Sequence, residues 1–193
     1  MILRGARLHD VVTILGSPRR KGNSATLAEN VSLGSKSTGA SVETYYIHGM
    51  DIKPCSACGK CRKDSNNGCI INDDMQKIYP KLCKADAIVI ASPVYWFTVS
   101  AQTKLFLDRC STIRIPDGYA LSGKRIGIVL TYKASDPFVS GAINAIRTFQ
   151  DIFAYIDATI VGMVYGKTDE PGEIAGNSEL MDEAFELGKR LVC

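Results

Sequence analysis

A three-layer α/β architecture, one parallel sheet with helices on both faces, is the fold class that the sequence predicts. Five short apolar segments recur along the 193 residues, and the intervals between them carry apolar residues at helical spacing. The junctions add a third observation. The apolar segments stop abruptly in polar loops rich in Gly, Ser and Pro, and in open sheets of this class ligands gather at such carboxyl-end loops. The strands read as continuous apolar runs, which points to burial on both faces. With 46% hydrophobic residues the chain suffices for one domain over 1–193, and no internal repeat or linker divides it.

The elements follow in order. Val11 to Leu15 (VVTIL) is the first strand and ends in GSPRRKGNS. Ser24 is placed to cap a helix carrying Ala25, Leu27, Ala28 and Val31, which GSKSTG (34–39) should break before a strand at Val42 to Ile47. Asp73 with Gln76 three residues on predicts a helix start, with Met75, Ile78, Tyr79 and Leu82 turned inward. Ala87 to Ala91 (AIVIA) is the third strand, and Ser100 opens the helix AQTKLFLDR. Arg125 to Thr131 is the fourth strand. Ala142, Ala145, Ile146, Phe149, Ile152 and Phe153 trace one helical face before the fifth strand, Thr159 to Val164. A last helix begins near Ser178 with Leu180, Met181, Ala184 and Leu191 on its apolar side.

Charge and hydropathy exclude whole classes of function. A net charge of +3 comes from Lys and Arg spread along the chain, so a nucleic-acid partner is not expected. No apolar run approaches the length of a membrane span, and MILRGARLHD is too short and polar for a signal peptide. A cytoplasmic protein with no membrane partner is the expectation, in which thiols stay reduced or bind metal. Seven cysteines cannot all pair. Cys83 and Cys110 read as buried helical thiols and Cys193 as a terminal residue without a role, while His9 and His48 have no partner at metal spacing.

Three loops carry the chemistry. In GSPRRKGNS, Ser17, Arg19, Asn23 and Ser24 precede a helix, whose N-terminus offers unpaired N–H groups and partial positive charge. Hydroxyls, amides and one Arg fork suit a terminal phosphate. Gly22 is followed by Asn23 rather than the Lys that a Walker A loop requires, and there is no GxGxxG fingerprint. A phosphate monoester held without magnesium fits FMN better than ATP or NAD. After the third strand, Pro93, Val94, Tyr95, Trp96 and Phe97 set aromatic groups at a carboxyl end, where backbone groups could meet the polar edge of a flavin ring. After the fourth, Thr131 and Tyr132 are candidates for the ring's other side.

GSPRRKGNSATL (16–27), the cysteine motif at 55–69, SPVYWFTVSAQTKLFLDR (92–109) and PGEI (171–174) together resemble the iron-sulfur flavoproteins, within the NADPH-dependent FMN reductase superfamily. The resemblance covers nearly the whole chain. It implies a flavodoxin-like fold with strand order 2-1-3-4-5 and a cysteine-rich insertion after strand two. It also implies FMN phosphate on Ser17, Arg19, Asn23 and Ser24, ring contacts from Pro93 to Phe97, and assembly as a homodimer or homotetramer.

Cys55, Cys58 and Cys61 follow a CxxCxxC spacing, with Cys69 further on. Two-residue gaps let one loop wrap three corners of a cuboidal cluster, and small Ser56, Ala57 and Gly59 allow close backbone approach. A four-thiolate zinc site, a redox disulfide and a motif that holds nothing are the other readings of the same four thiols. The cysteines are expected on the same rim as the flavin loops. The sequence thus supports three functions: an FMN protein passing electrons to a [4Fe-4S] cluster, an NAD(P)H:FMN or quinone oxidoreductase without a cluster, and a zinc-stabilised flavin-binding regulatory module. Flavin carries the chemistry, so no catalytic side chain is assigned. NAD(P)H or a ferredoxin is the expected donor, and a quinone a possible acceptor.

Overall fold

The computed structural model describes residues 9–63 and 68–193. Residues 1–8, most of the segment MILRGARLHD, and 64–67, within the cysteine stretch, lie outside the described residues.

Five parallel strands form the sheet: β1 (Asp10–Leu15), β2 (Ser41–Tyr46), β3 (Ala87–Tyr95), β7 (Arg125–Tyr132) and β8 (Thr159–Lys167), in the order β2-β1-β3-β7-β8. Numbered among themselves, these are the predicted 2-1-3-4-5. The register sets Val12 beside Ile88 and Ile88 beside Ile126, and likewise Ile14, Ile90 and Ile128. This β-branched layer buries against α3 (Met75–Lys84), α4 (Ala101–Cys110) and α5 (Ala142–Tyr155). Alternate residues Val11, Val89, Ala91 and Val129 face the other way, under α1 (Asn23–Ser37) and α6 (Ser178–Arg190).

Several boundaries differ from the sequence reading for physical reasons. The N-cap of α1 is Gly22; Ser24 lies inside the helix and is buried. Gly34 does not break α1, because its missing side chain is what lets α6 approach: a Cβ there would stand 1.9 Å from the Phe185 carbonyl oxygen. Gly188 returns the contact, since its Cβ would stand 2.0 Å from the Val31 carbonyl oxygen. Backbone meets backbone here. The Ser35 hydroxyl donates to the Gly188 carbonyl at 2.9 Å. Helix α3 takes Asp74 as its N-cap, and Gln76 turns away to bond the carbonyls of Cys69 and Ile71, each at 2.8 Å. Cys83 is exposed rather than buried. Beyond the predicted elements, β4 (Thr98–Val99) folds back on β3, β5 (Arg114–Ile115) pairs with β6 (Gly118–Tyr119), and α2 (Lys60–Lys63) forms one turn in the cysteine stretch.

Candidate functional site: a cleft at the carboxyl edge and a four-cysteine cavity

The loop after β1 is fastened to the start of α4 before it can receive anything. Gly16 N–H donates to the Ala91 carbonyl at 2.8 Å, and the Ser100 hydroxyl donates to the Gly16 carbonyl at 2.7 Å. Ser100 also caps α4, accepting from Thr103 N–H at 3.2 Å, and its own N–H donates to the Ser92 hydroxyl oxygen at 3.0 Å. These hydroxyls are all buried. Buried polar groups hold a fold only when paired, and here the pairing ties two loops into one rigid edge. On the other flank Tyr46 donates its hydroxyl to the Pro18 carbonyl at 2.5 Å, and Arg20 stacks 4.7 Å from the Tyr46 ring centre.

Between these fastenings lies a cleft at the carboxyl ends of β1, β3 and β7. Ser17, Arg19, Asn23 and Ser24 line it from the first loop, Pro93, Val94 and Tyr95 from the second, and Thr131 and Tyr132 from the third. Three loops separated in sequence thus meet at one place. No side chain caps the first turn of α1, whose residues Gly22 to Ser24 line the cleft, so its unpaired N–H groups and the helix dipole lie at the cleft edge. Asn23 has a second occupation: its amide donates to the Glu170 carbonyl at 2.8 Å, and its Oδ1 accepts from Gly172 N–H at 2.8 Å. It clasps the loop after β8, which brings Thr168, Asp169 and Glu170 to the cleft wall. Sequence reasoning did not assign those residues; the signal was the PGEI turn.

Trp96 and Phe97 are not part of that wall. They form the two-residue turn between β3 and β4, where Val94 pairs with Val99 and Tyr95 with Thr98. Both have positive φ, 48° and 71°. Such turns ordinarily take Asn and Gly, since a side chain with φ above zero costs about 1–3 kcal/mol. Trp96 is 91% exposed, so packing within this chain does not repay that cost. Phe97 rests on Gly141, itself at φ 77°, where a Cβ would stand 2.4 Å from the Phe97 Cα. Asn144 Nδ2 donates to the Phe97 carbonyl at 3.0 Å. The strained tip is therefore held in place beside the cleft.

Cys55, Cys58, Cys61 and Cys69 line a separate small cavity with Arg109 and Thr112. Positive φ at Ala57 (51°) and Gly59 (70°) curls the loop around it. Lys60 N–H and the Ser56 hydroxyl hydrogen-bond the Cys58 sulfur and hold that thiol below its ordinary range. By residue type, four thiols lining one cavity are the donor set that an iron-sulfur cluster takes. Among the described residues no group of three or more His, Cys, Asp or Glu side chains is gathered so as to hold a metal ion.

The two sites are not on one rim, and this corrects the expectation from sequence. The cysteine cavity abuts the C-terminal end of α4 at Asp108 to Thr112, whereas Ser100 at its N-terminal end bonds the phosphate-type loop. A ten-residue helix separates the two ends by ~15 Å. A further cavity, largely apolar, opens between α3, α4 and α5 and is lined by Leu82, Ile90, Phe106 and Phe153. Its lining suits neither a phosphate nor a polyol chain.

Residues 9–169 match the family model of the NADPH-dependent FMN reductases. The chain is 30% identical over 189 residues to an iron-sulfur flavoprotein of Methanocaldococcus jannaschii, covering 94% of each. This chain belongs to the iron-sulfur flavoproteins of the NADPH-dependent FMN reductase family. It is accordingly an FMN-binding, flavin-dependent oxidoreductase, and in open α/β sheets ligands bind beyond the carboxyl ends of the strands. A second relative, provisionally named an NAD(P)H-dependent FMN-containing oxidoreductase of Bacillus subtilis, is 27% identical over 184 residues and covers 93% of this chain and 97% of its own. In fold the chain is similar to the NAD(P)H:quinone oxidoreductase of Methanothermobacter marburgensis, with TM-score 0.74 at 17% identity, over 96% of this chain and 98% of that one. Among the described residues no helix is long and apolar enough to cross a membrane.

Proposed function

We propose that this chain moves electrons from a reduced nicotinamide, NAD(P)H, through bound FMN to a small acceptor of the quinone or free-flavin class. The observation that carries it is the single cleft in which Ser17, Arg19, Ser24, Pro93, Val94, Tyr95, Thr131 and Tyr132 meet beside the α1 N-terminus. Arg19 and the α1 amides receive the phosphate, with the Ser17 and Ser24 hydroxyls completing the cradle. Asn23 supports the cradle through the loop after β8 while keeping its edge on the cleft. Pro93 to Tyr95 and Thr131–Tyr132 bracket the ring, and the Trp96–Phe97 tip beside the cleft screens it from water. FMN supplies hydride acceptance and the two-electron to one-electron conversion, and the protein orients and shields it. Titration with FMN is the test. Tight binding that Arg19→Ala weakens at least tenfold is expected, and a purified protein without flavin absorbance or FMN affinity overturns the reading.

A second reading places a [4Fe-4S] cluster on Cys55, Cys58, Cys61 and Cys69 as the partner of the flavin, fed by NAD(P)H or by a ferredoxin. It is supported by the cavity those four thiols share and by the name of the Methanocaldococcus relative. Anaerobic iron and acid-labile sulfide analysis separates the two: about four irons per chain supports the cluster. No iron, with NAD(P)H-dependent dye reduction retained, supports the first reading. We propose further that a second copy of the chain covers the exposed Trp96, Phe97, Phe138 and Val139 in a cytoplasmic homodimer or homotetramer, which a monomeric mass by light scattering would refute.

A further inference from the structure

Arg109, in the last turn of α4, heads the fully buried side chains by size, which is an unusual place for a charge. Its compensation is Asp73: the two side chains, 1% and 0% exposed, form an ion pair through Nη1, while Nη2 donates to Asp73 Oδ1 at 3.2 Å. The remaining bonds of the fork all go to the cysteine segment. Nη1 donates to the Lys53 carbonyl at 2.7 Å, just before Cys55, and Nη2 donates to the Cys69 sulfur at 3.5 Å. Asp73 accepts from Lys53 N–H at 2.9 Å, so the pair grips the segment entering the loop twice. One guanidinium therefore joins the two ends of the loop that carries all four cysteines. Arg109 Nε and the Thr112 hydroxyl, both buried and both at this cavity, have no hydrogen-bond partner among the described residues. Buried polar atoms left unpaired call for an explanation, and beside a cavity lined by four thiols a received group supplies one.

We propose that Arg109, clamped by Asp73, is the positioning residue of the four-cysteine loop and sets the reduction potential of the group held there by donating to the Cys69 sulfur. The inference rests on the cluster reading above. Adding one electron to a cluster adds one negative charge beside that sulfur. A cationic donor at the sulfur stabilises the reduced state and raises the potential, while the Asp73 carboxylate behind it moderates the effect.

The test uses the full chain with FMN, reconstituted anaerobically with iron and sulfide, in the wild type, Arg109→Lys and Asp73→Asn. Each is first shown to keep its circular dichroism and its flavin. Arg109→Lys gives the ammonium to Asp73 and loses the bond to Cys69, so the cluster potential falls in an EPR-monitored titration. Asp73→Asn leaves the guanidinium unmoderated, so the potential rises. The flavin potential, set at the other end of α4, stays where it was in both. Opposite shifts are the decisive result, because loosened packing moves both variants the same way; equal shifts, or none, overturn the inference. Should one variant fail to fold, the other decides alone: a fall in Arg109→Lys or a rise in Asp73→Asn upholds the inference, and any other result overturns it. If the wild type takes up no iron, the cluster reading itself has failed, and the clamp is then judged by amide exchange in the iron-free protein. Faster exchange by tenfold or more, confined to residues 51–55 and 69–75 in Arg109→Lys, upholds the clamp, and unchanged exchange there overturns it.

Discussion

Trp96 and Phe97 stand in a conformation that neither side chain prefers, at the tip of a hairpin that Asn-Gly would make without strain. Strain of this kind persists where a site uses it. Trp96→Asn should accordingly stabilise the flavin-free chain by up to about 1 kcal/mol in urea denaturation, since the lost indole is exposed, while weakening FMN binding. Trp96 is the sole tryptophan, so its fluorescence reports the tip directly; addition of FMN should quench it. Asp73 likewise departs from its ordinary behaviour. Burial by itself would push its carboxyl up, but the Arg109 fork and the N–H groups of Lys53 and Met75 outweigh burial and hold it below the ordinary carboxylate range. A depressed carboxyl contributes stability that is full above about pH 4 and is lost as pH falls through the folded value. Asp73→Asn should therefore cost about 3–5 kcal/mol at pH 7, the usual loss on breaking a buried pair. The gap from wild type should narrow steadily when the same denaturation is repeated towards pH 3.

Helix α1 shows how a residue rule yields to an element. Gly34 in an isolated helix weakens it, and the GSKSTG composition reads as a breaker. Packing decides otherwise, because α1 and α6 touch backbone to backbone at Gly34 and Gly188. Gly34→Ala would raise helix propensity, yet the methyl group has no room beside the Phe185 carbonyl. It should destabilise the chain by about 1–3 kcal/mol, read as a lowered midpoint in thermal unfolding. Helix α4 works at both ends: Ser100 ties its start to the phosphate-type loop, and Arg109 ties its end to the cysteine loop. The Asp108–Arg109 pair that closes the segment SPVYWFTVSAQTKLFLDR belongs to the second site rather than the first. Sequence spacing could not reveal this, since Asp73 and Lys53 come to Arg109 from distant positions.

For the whole molecule, ligand binding and folding are linked because the cleft exists only when β1, β3 and β7 are registered. FMN at a hundred times its dissociation constant should add about 2.7 kcal/mol of stability, seen as a rise in melting temperature that Arg19→Ala reduces.

The strands were legible because burial on both faces demands continuous apolar runs such as AIVIA, and the helices because one face of each must be apolar. The phosphate-type loop was legible because a helix start after a strand needs few residue types, all local. The strand order entered through family resemblance, and the β5–β6 pair and the two occupations of Asn23 had no local signal. They depend on partners brought from far along the chain, such as Glu170 for Asn23.

By itself, then, the sequence determined the layers, the loops and the four-thiol motif, since these follow from local periodicity and side-chain chemistry. Tertiary structure alone decided that the cysteines lie a helix length from the carboxyl-edge cleft, and that one buried Arg–Asp pair holds their loop. Only packing sets such distances, because it fixes which surfaces of the elements meet.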